Sequence, residues 1–414
     1  MRNDVCMNCQ GTELLEFIDL KDQPNGNVFL RAEDLADEVF YPLVMMVCQD
    51  CFQVQIQEFP DVDIMFEEHP YISGLSVPVV EHFRALSAHL VDKFSLQASD
   101  WVMDIGANDG SLLQCFDGLG MNTLGVDPSK HTAPLAREKG IEVVPSFWNR
   151  ATASAIKARG ENIKLITATA VFYHVQNLHE FIEGLIHVMD DSTVFCAQCV
   201  DLLDIIDRNQ FDHFYHEHTM IHAIFPLKRI FEAHGLHIID VEDWDIHGGS
   251  FVVYVAKSSS NHSVSPRVEQ RLEREAAFGL QSIETYRQFA GRVRQNREDL
   301  RVFLADMKAE GKTVVCLGAP LKGSTLLNYA EIGPDWVECA VEVNPLKVGR
   351  LTPGTHIPVI HENELDFEPD CYLCLAWNFK DYFLHKYAAF LEAGGQMVFP
   401  NPQLEIASGL QTRH

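Results

Sequence analysis

The sequence predicts an α/β protein in three parts: a small N-terminal zinc-binding lobe, a central Rossmann-like domain and a C-terminal Rossmann-like α/β domain. Three observations carry the prediction. Two Cys-x-x-Cys pairs stand within the first 51 residues, short apolar runs alternate with helical patterns from Trp101 onward, and the alternation starts afresh after Gly311. Such alternation marks a parallel sheet covered by helices. The 414 residues suit two or three domains. The expected boundaries are 1–68 for the lobe, 69–258 for the central domain, 259–310 for a connector helix and 311–414 for the C-terminal domain.

The lobe rests on Cys6, Cys9, Cys48 and Cys51, two knuckles whose four thiolates suit a closed tetrahedral Zn2+ site of structural type. Eleven cysteines and no secretory pattern in Met1 to Gln10 argue against a disulfide framework. Cys196/Cys199 and Cys371/Cys374 share the spacing but lie in strand-like apolar runs, where residues three apart face opposite sides of a sheet. Cys115, Cys316 and Cys339 read as small apolar side chains.

Composition narrows the partners. The net charge of -27 repels nucleic acid and anionic membrane surfaces, and no run is long and apolar enough for a membrane span. A soluble cytoplasmic protein is expected.

In the central domain a helical pattern runs over Val77 to Phe94, and strand-like runs follow at Trp101 to Ile105, Thr123 to Val126, Lys164 to Tyr173 and Thr193 to Cys199. The stretch Val102 to Leu112 places a strand, a glycine-bearing turn and a helix in order. Gly106 and Gly110 allow close backbone approach to a ligand. Asp109 puts a negative charge where a pyrophosphate would lie, so a cationic, adenosine-bearing ligand fits better, with Asp104 and Asp109 facing a sulfonium or amino group. Asp127 ends the next strand, where an acid accepts ribose hydroxyls. S-adenosylmethionine is therefore expected over NAD, with Asn108 and Phe147 among its contacts.

The run Phe214-Tyr215-His216-Glu217-His218 and His174, at the end of Val171 to Tyr173, collect groups able to move protons near neutral pH. For His216 a structural role is expected; a His-Glu-His metal site is the alternative reading of the run.

Past the polar stretch Ser258 to Ser265, Arg267 to Ala309 reads as one long amphipathic helix. The second α/β block has strands at Thr313 to Leu317 and Trp336 to Val343, with a helix at Ser324 to Tyr329. Gly318 to Ser324 is not a P-loop, because Lys322 precedes Gly323. It still offers backbone N–H groups and a lysine near a helix start, which suits a diphosphate, with Lys347 and Arg350 adding charge or standing as solvated surface cations.

Taken together, the two knuckles, Asp104 to Leu113, Tyr215 to His218, His247 to Ser250, Gly318 to Tyr329, Pro353 to Thr355 and Trp377-Asn378 follow one another in an order that resembles the bacterial nucleotide-sugar C-methyltransferases over nearly the whole chain. The resemblance implies a central S-adenosylmethionine methyltransferase domain and a C-terminal domain that helps hold a nucleotide-linked 4-keto deoxysugar. It implies methylation at C3 through an enolate, with His218 as base, Tyr215 and His174 at the reacting centre, Tyr71 on a substrate loop and Glu217 orienting a histidine. Lys322, Gly323, Asn328, Lys347, Arg350, Trp377 and Asn378 are the expected substrate contacts. Ala170 stands where the family commonly has Asn, and Gln198 where it commonly has an acid. Sugar O-methylation and a non-catalytic nucleotide-sugar-binding module are the rival readings.

Overall fold

The computed structural model of the chain describes residues 3–60, 65, 71–409 and 411–413. The expected boundary at 68/69 lies outside them. The lobe is built on β1 (Leu14–Pro24), β2 (Phe40–Cys48) and β3 (Val54–Ile56), which pair antiparallel. Its sheet is completed by a strand from far along the sequence, β9 (Met220–Ile221), paired to β3. The lobe therefore extends into the central region.

In the central domain the helix α1 (Val77–Lys93) buries Val79, Phe83, Leu86 and Leu90, one stripe at helical spacing. The sheet behind it runs β10-β11-β8-β7-β4-β5-β6. The strands β4 (Trp101–Ile105), β5 (Asn122–Val126), β6 (Val143–Val144), β7 (Ile163–Thr169) and β8 (Val194–Val200) are parallel; β10 (Leu236–Trp244) and β11 (Ser250–Lys257) close the edge antiparallel. Strand order reverses between β4 and β7, and the carboxyl ends at such a switch point open a crevice.

The expected single connector helix is two, α2 (Pro266–Phe278) and α3 (Ile283–Ala309). Gly279, at φ +93°, caps the first in the left-handed region that glycine adopts without strain and so ends it. The second is no solvent-bridging rod. Tyr286 and Phe289 are buried against Phe17 of β1, and Phe289 also meets Phe214, so lobe, connector and central domain share one aromatic core.

The C-terminal sheet runs β14-β13-β12-β15-β16-β17-β18. Its parallel strands are β12 (Val314–Leu317), β13 (Ala340–Glu342), β14 (Val359–His361), β15 (Cys371–Cys374) and β16 (Gln396–Phe399), and β17 (Glu405–Ser408) and β18 (Gln411–Arg413) form an antiparallel hairpin. The strand expected at Trp336 to Val343 is confined to β13, and the helix expected from Ser324 begins earlier, as α4 (Leu321–Ala330). Lys322 and Gly323 thus lie in its first turn. The repeated Cys-x-x-Cys spacings fall on β8 and β15, as the strand periodicity requires.

Candidate active site

The four N-terminal cysteines converge. Cys6 and Cys51 sulfurs are 3.5 Å apart, Cys9 and Cys48 sulfurs 3.6 Å, and all four lie within 4.8 Å of one another. A tetrahedron of thiolates at zinc's usual bond length has edges of about 3.8 Å. The residues present therefore fit Zn2+, and they leave no fifth position for a substrate. The hydrogen bond from Cys51 pulls the Cys6 thiol down to about 6, while burial raises Cys48 to about 11. Among the described residues this is the one cluster able to hold a metal, so the alternative His-Glu-His site is not formed.

A cleft of about 500 Å³ opens at the central switch point, lined by Tyr71, Gly106, Asn108, Asp127, Phe147, Ala170, His174 and His247 among others. Gly106, at φ +77°, lies so close to the facing loop that a Cβ there would stand 2.3 Å from Val171 Cγ2. Asp127 sits at the end of β5; its carboxylate accepts from the Asn108 and Ser129 backbone N–H groups, both at 2.8 Å. An acid at that strand end, a glycine turn too tight for any Cβ and the Phe147 ring fit an adenosyl ligand. A second groove, lined by Glu242, Asp243, Arg267, Arg271 and Arg274, has each arginine paired with an acid.

Three expected cofactor contacts are placed elsewhere. Asp109 is buried and turned away from the cleft, paired with Lys139 at 2.6 Å and accepting from Gly74 N–H. Together with Asn108, whose amide oxygen accepts from Ser73 N–H and whose amide donates to the Tyr71 carbonyl, it latches the 71–75 segment to the glycine loop. Asp104 lies beneath that loop, hydrogen-bonded to Thr167 at 2.6 Å, and burial pushes it up to about 7. Gly110 starts a helix with Ala136 and Ile141 against it.

Next to His174 lies a cluster of rings in edge-on and tilted contact. His218 lies 5.1 Å from His174, 4.5 Å from Tyr173 and 3.8 Å from Tyr215, centre to centre. His218 is buried, and its Nδ1–H donates to the His213 carbonyl at 2.7 Å. Burial, with the neighbouring histidines, holds its pKa well below the ordinary value, so the imidazole is neutral and basic at Nε2. Burial raises Tyr215 and Tyr173 well above theirs, so both keep their protons. Tyr71 lines the cleft and is exposed, and desolvation of its hydroxyl with the Asp109 charge raises its pKa. Glu217 is not tied to an imidazole by the bond it makes at 2.5 Å; that bond takes the side-chain amide of Asn27. His216 donates to the Pro42 carbonyl, a structural role.

The expected substrate contacts divide. Lys322 lies 4.3 Å over the Trp377 ring, and Trp377 Nε1 donates to Asp212 of the central domain at 2.6 Å, which brings the two domains together beside His213 and His247. Lys347 and Arg350 are not solvated cations; both are partly buried against main-chain carbonyls. Lys347 donates to the Ala319 carbonyl and packs over Phe29, and Arg350 donates to the Phe29 carbonyl, so both hold the lobe. Asn328 braces the Pro353 carbonyl, and Gly323 packs on Leu375, where a Cβ would meet it at 2.9 Å. The Asn378 Oδ1 is buried and has no hydrogen-bond partner among the described residues. His213 and Asp212, unremarked in the sequence, belong to the same polar run as His218, a signal that was present; Asn27, 190 residues from Glu217, gave none.

Three family models match successive parts of the chain: "Putative zinc binding domain" over 6–66, "Methyltransferase domain" over 80–241 and "C-methyltransferase C-terminal domain" over 245–402. The C-methyltransferase NovU of Streptomyces niveus is 31% identical over 411 residues, covering 99% of this chain and 98% of that protein. Among solved structures, a magnesium protoporphyrin IX methyltransferase of Synechocystis PCC 6803 matches 43% of this chain and 83% of its own at 15% identity and a TM-score of 0.34. A methyltransferase of Anabaena variabilis matches 42% and 83% at 12% identity and a TM-score of 0.35.

Proposed function

Because the chain belongs to the C-methyltransferases, with S-adenosylmethionine as methyl donor and a zinc-binding N-terminal domain, we propose that its acceptor is C3 of a nucleotide-linked 4-keto-6-deoxy sugar. One juxtaposition supports the reading: His174 lines the donor cleft, and the basic imidazole of His218 meets it edge-on at 5.1 Å, with the ring of the protonated Tyr215 3.8 Å from His218.

A 4-keto group acidifies the C3 proton. His218 Nε2 accepts that proton, and the C–H electron pair delocalises onto the 4-oxygen as an enolate. Tyr215 and His174 donate hydrogen bonds to the oxygen as its charge develops, the role of preorganised donors at an oxyanion. Asp127, Gly106 and Phe147 hold the adenosyl portion of the donor, which when bound supplies an electrophilic methyl for the enolate carbon. Lys322 and Trp377, at the seam of central and C-terminal domains, hold the nucleotide-linked end.

The test is deuterium exchange at C3 of 4-keto sugar nucleotides, followed by NMR of the product. The reading expects enzyme-dependent washout, absent in His218→Ala, and a new methyl bonded to C3. A methyl found on oxygen would establish the O-methyltransfer rival, and cofactor binding without any turnover would establish the non-catalytic one.

A further inference from the structure

The segment that carries Tyr215, Glu217 and His218 belongs to the central domain by sequence, yet the N-terminal lobe grips it along its length. His216 donates to Pro42 O. Ile56 N–H donates to Thr219 O at 3.0 Å, and Met220 and Ile221 pair with Gln55 and Val54 as the fourth strand of the lobe sheet. Gln53 Nε2 donates to Ile221 O at 2.9 Å, and Phe17 meets Phe214 edge to face. In the middle of this grip the Asn27 amide donates to Glu217 Oε1 at 2.5 Å. Glu217 is 4% exposed. A carboxylate so buried depends on the donors around it.

The Asn27 turn is itself anchored. Asn27 N–H closes on Asn25 Oδ1, Gly26 lies against Leu321, and Phe29 is held by Lys347 and Arg350. No residue of 3–60 lines the cofactor cleft, although Pro60 O accepts from Gln176 of its wall at 3.2 Å.

We propose that the lobe is a working part of the catalytic apparatus and that Asn27 is a positioning residue, acting through Glu217 on the Tyr215–His218 turn. This rests on that turn being the reacting centre. Disturbing Asn27 then separates methyl transfer from donor binding, because the two are built on different parts of the chain.

The experiment uses the full-length, zinc-loaded enzyme with Asn27→Ala and Asn27→Asp. The aspartate keeps the shape and removes the donor. Both are expected to lower kcat at least tenfold near neutral pH, while donor affinity by calorimetry and zinc content stay within twofold of the parent. Asn27→Asp regains part of its activity on acidification, because a proton shared by the two carboxylates restores the bond. A second readout needs no substrate: the imidazole NMR signal that vanishes in His218→Ala shifts in Asn27→Asp. If the parent enzyme turned over no 4-keto sugar nucleotide, the substrate reading would fall and this signal would still decide the role of Asn27. Parental kcat in Asn27→Asp at neutral pH, or an unmoved His218 signal, overturns the proposal; should Asn27→Ala fail to fold, the isosteric variant decides.

Discussion

His218 donates its Nδ1–H to the His213 carbonyl at 2.7 Å, which places the ring's lone pair on Nε2. A main-chain acceptor sets the tautomer, and burial with the neighbouring histidines keeps the ring unprotonated, the state that the proposed proton abstraction requires. His218→Ala is expected to lower kcat by roughly 10² to 10⁴, the usual span for a general base. Donor affinity should hold, since His218 does not line the cleft. Calorimetry beside steady-state kinetics checks both; full turnover would remove His218 from the mechanism.

Gly106 is constrained twice, by its φ of +77° and by Val171. Gly106→Ala is expected to weaken donor binding at least tenfold and lower Tm. Gly118→Ala, whose Cβ would meet nothing within 4 Å, is the matched control and should change neither. Equal affinities in the two variants would contradict the cleft assignment.

Metal analysis should find one Zn2+ per chain, lost in Cys6→Ser and in Cys48→Ser and retained in Cys196→Ser. Because β9 belongs to the lobe sheet, zinc loss should cost Tm and methyl transfer together, with donor affinity least affected. Full zinc content in Cys6→Ser would displace the site.

Burial holds His216 and His247 at about 4. An unfolded chain titrates its histidines near 6.5, so between those values the unfolded state binds more protons and folding weakens as pH falls. Their contribution is intact above about pH 6.5 and is lost as pH drops toward 4, on the order of 2 kcal/mol for each by pH 5. Tm measured from pH 8 to pH 5 should decline over the acid half of that range. A flat profile would mean that the two imidazoles are solvated.

Much of this molecule was legible before any coordinates. The cysteine knuckles, the strand–glycine–helix order around Gly106 and the acid at Asp127 are local patterns, and each sits where its spacing implies. The strand periodicity also separated Cys196/Cys199 and Cys371/Cys374 from the metal set. The reading failed where one residue could serve two partners. Asp109 looked like a ligand contact because it stands in the glycine loop, but Lys139 reaches it first. Lys347 and Arg350 looked like anion partners or solvent-facing cations, and the lobe uses both. The connector broke at Gly279, where a left-handed cap outweighed the apolar spacing on either side.

Sequence by itself determined which groups this protein owns: four thiolates for zinc, a glycine turn and strand-end acid for an adenosyl donor, and a run of tyrosine, histidine and glutamate at 215–218. Tertiary structure alone decided which of them meet. Joining Asn27 to Glu217, β3 to β9 and Lys322 to Trp377 requires contacts between residues far apart in the chain, set by how three units pack. Local periodicity reports the face a side chain occupies and carries no record of what lies across from it.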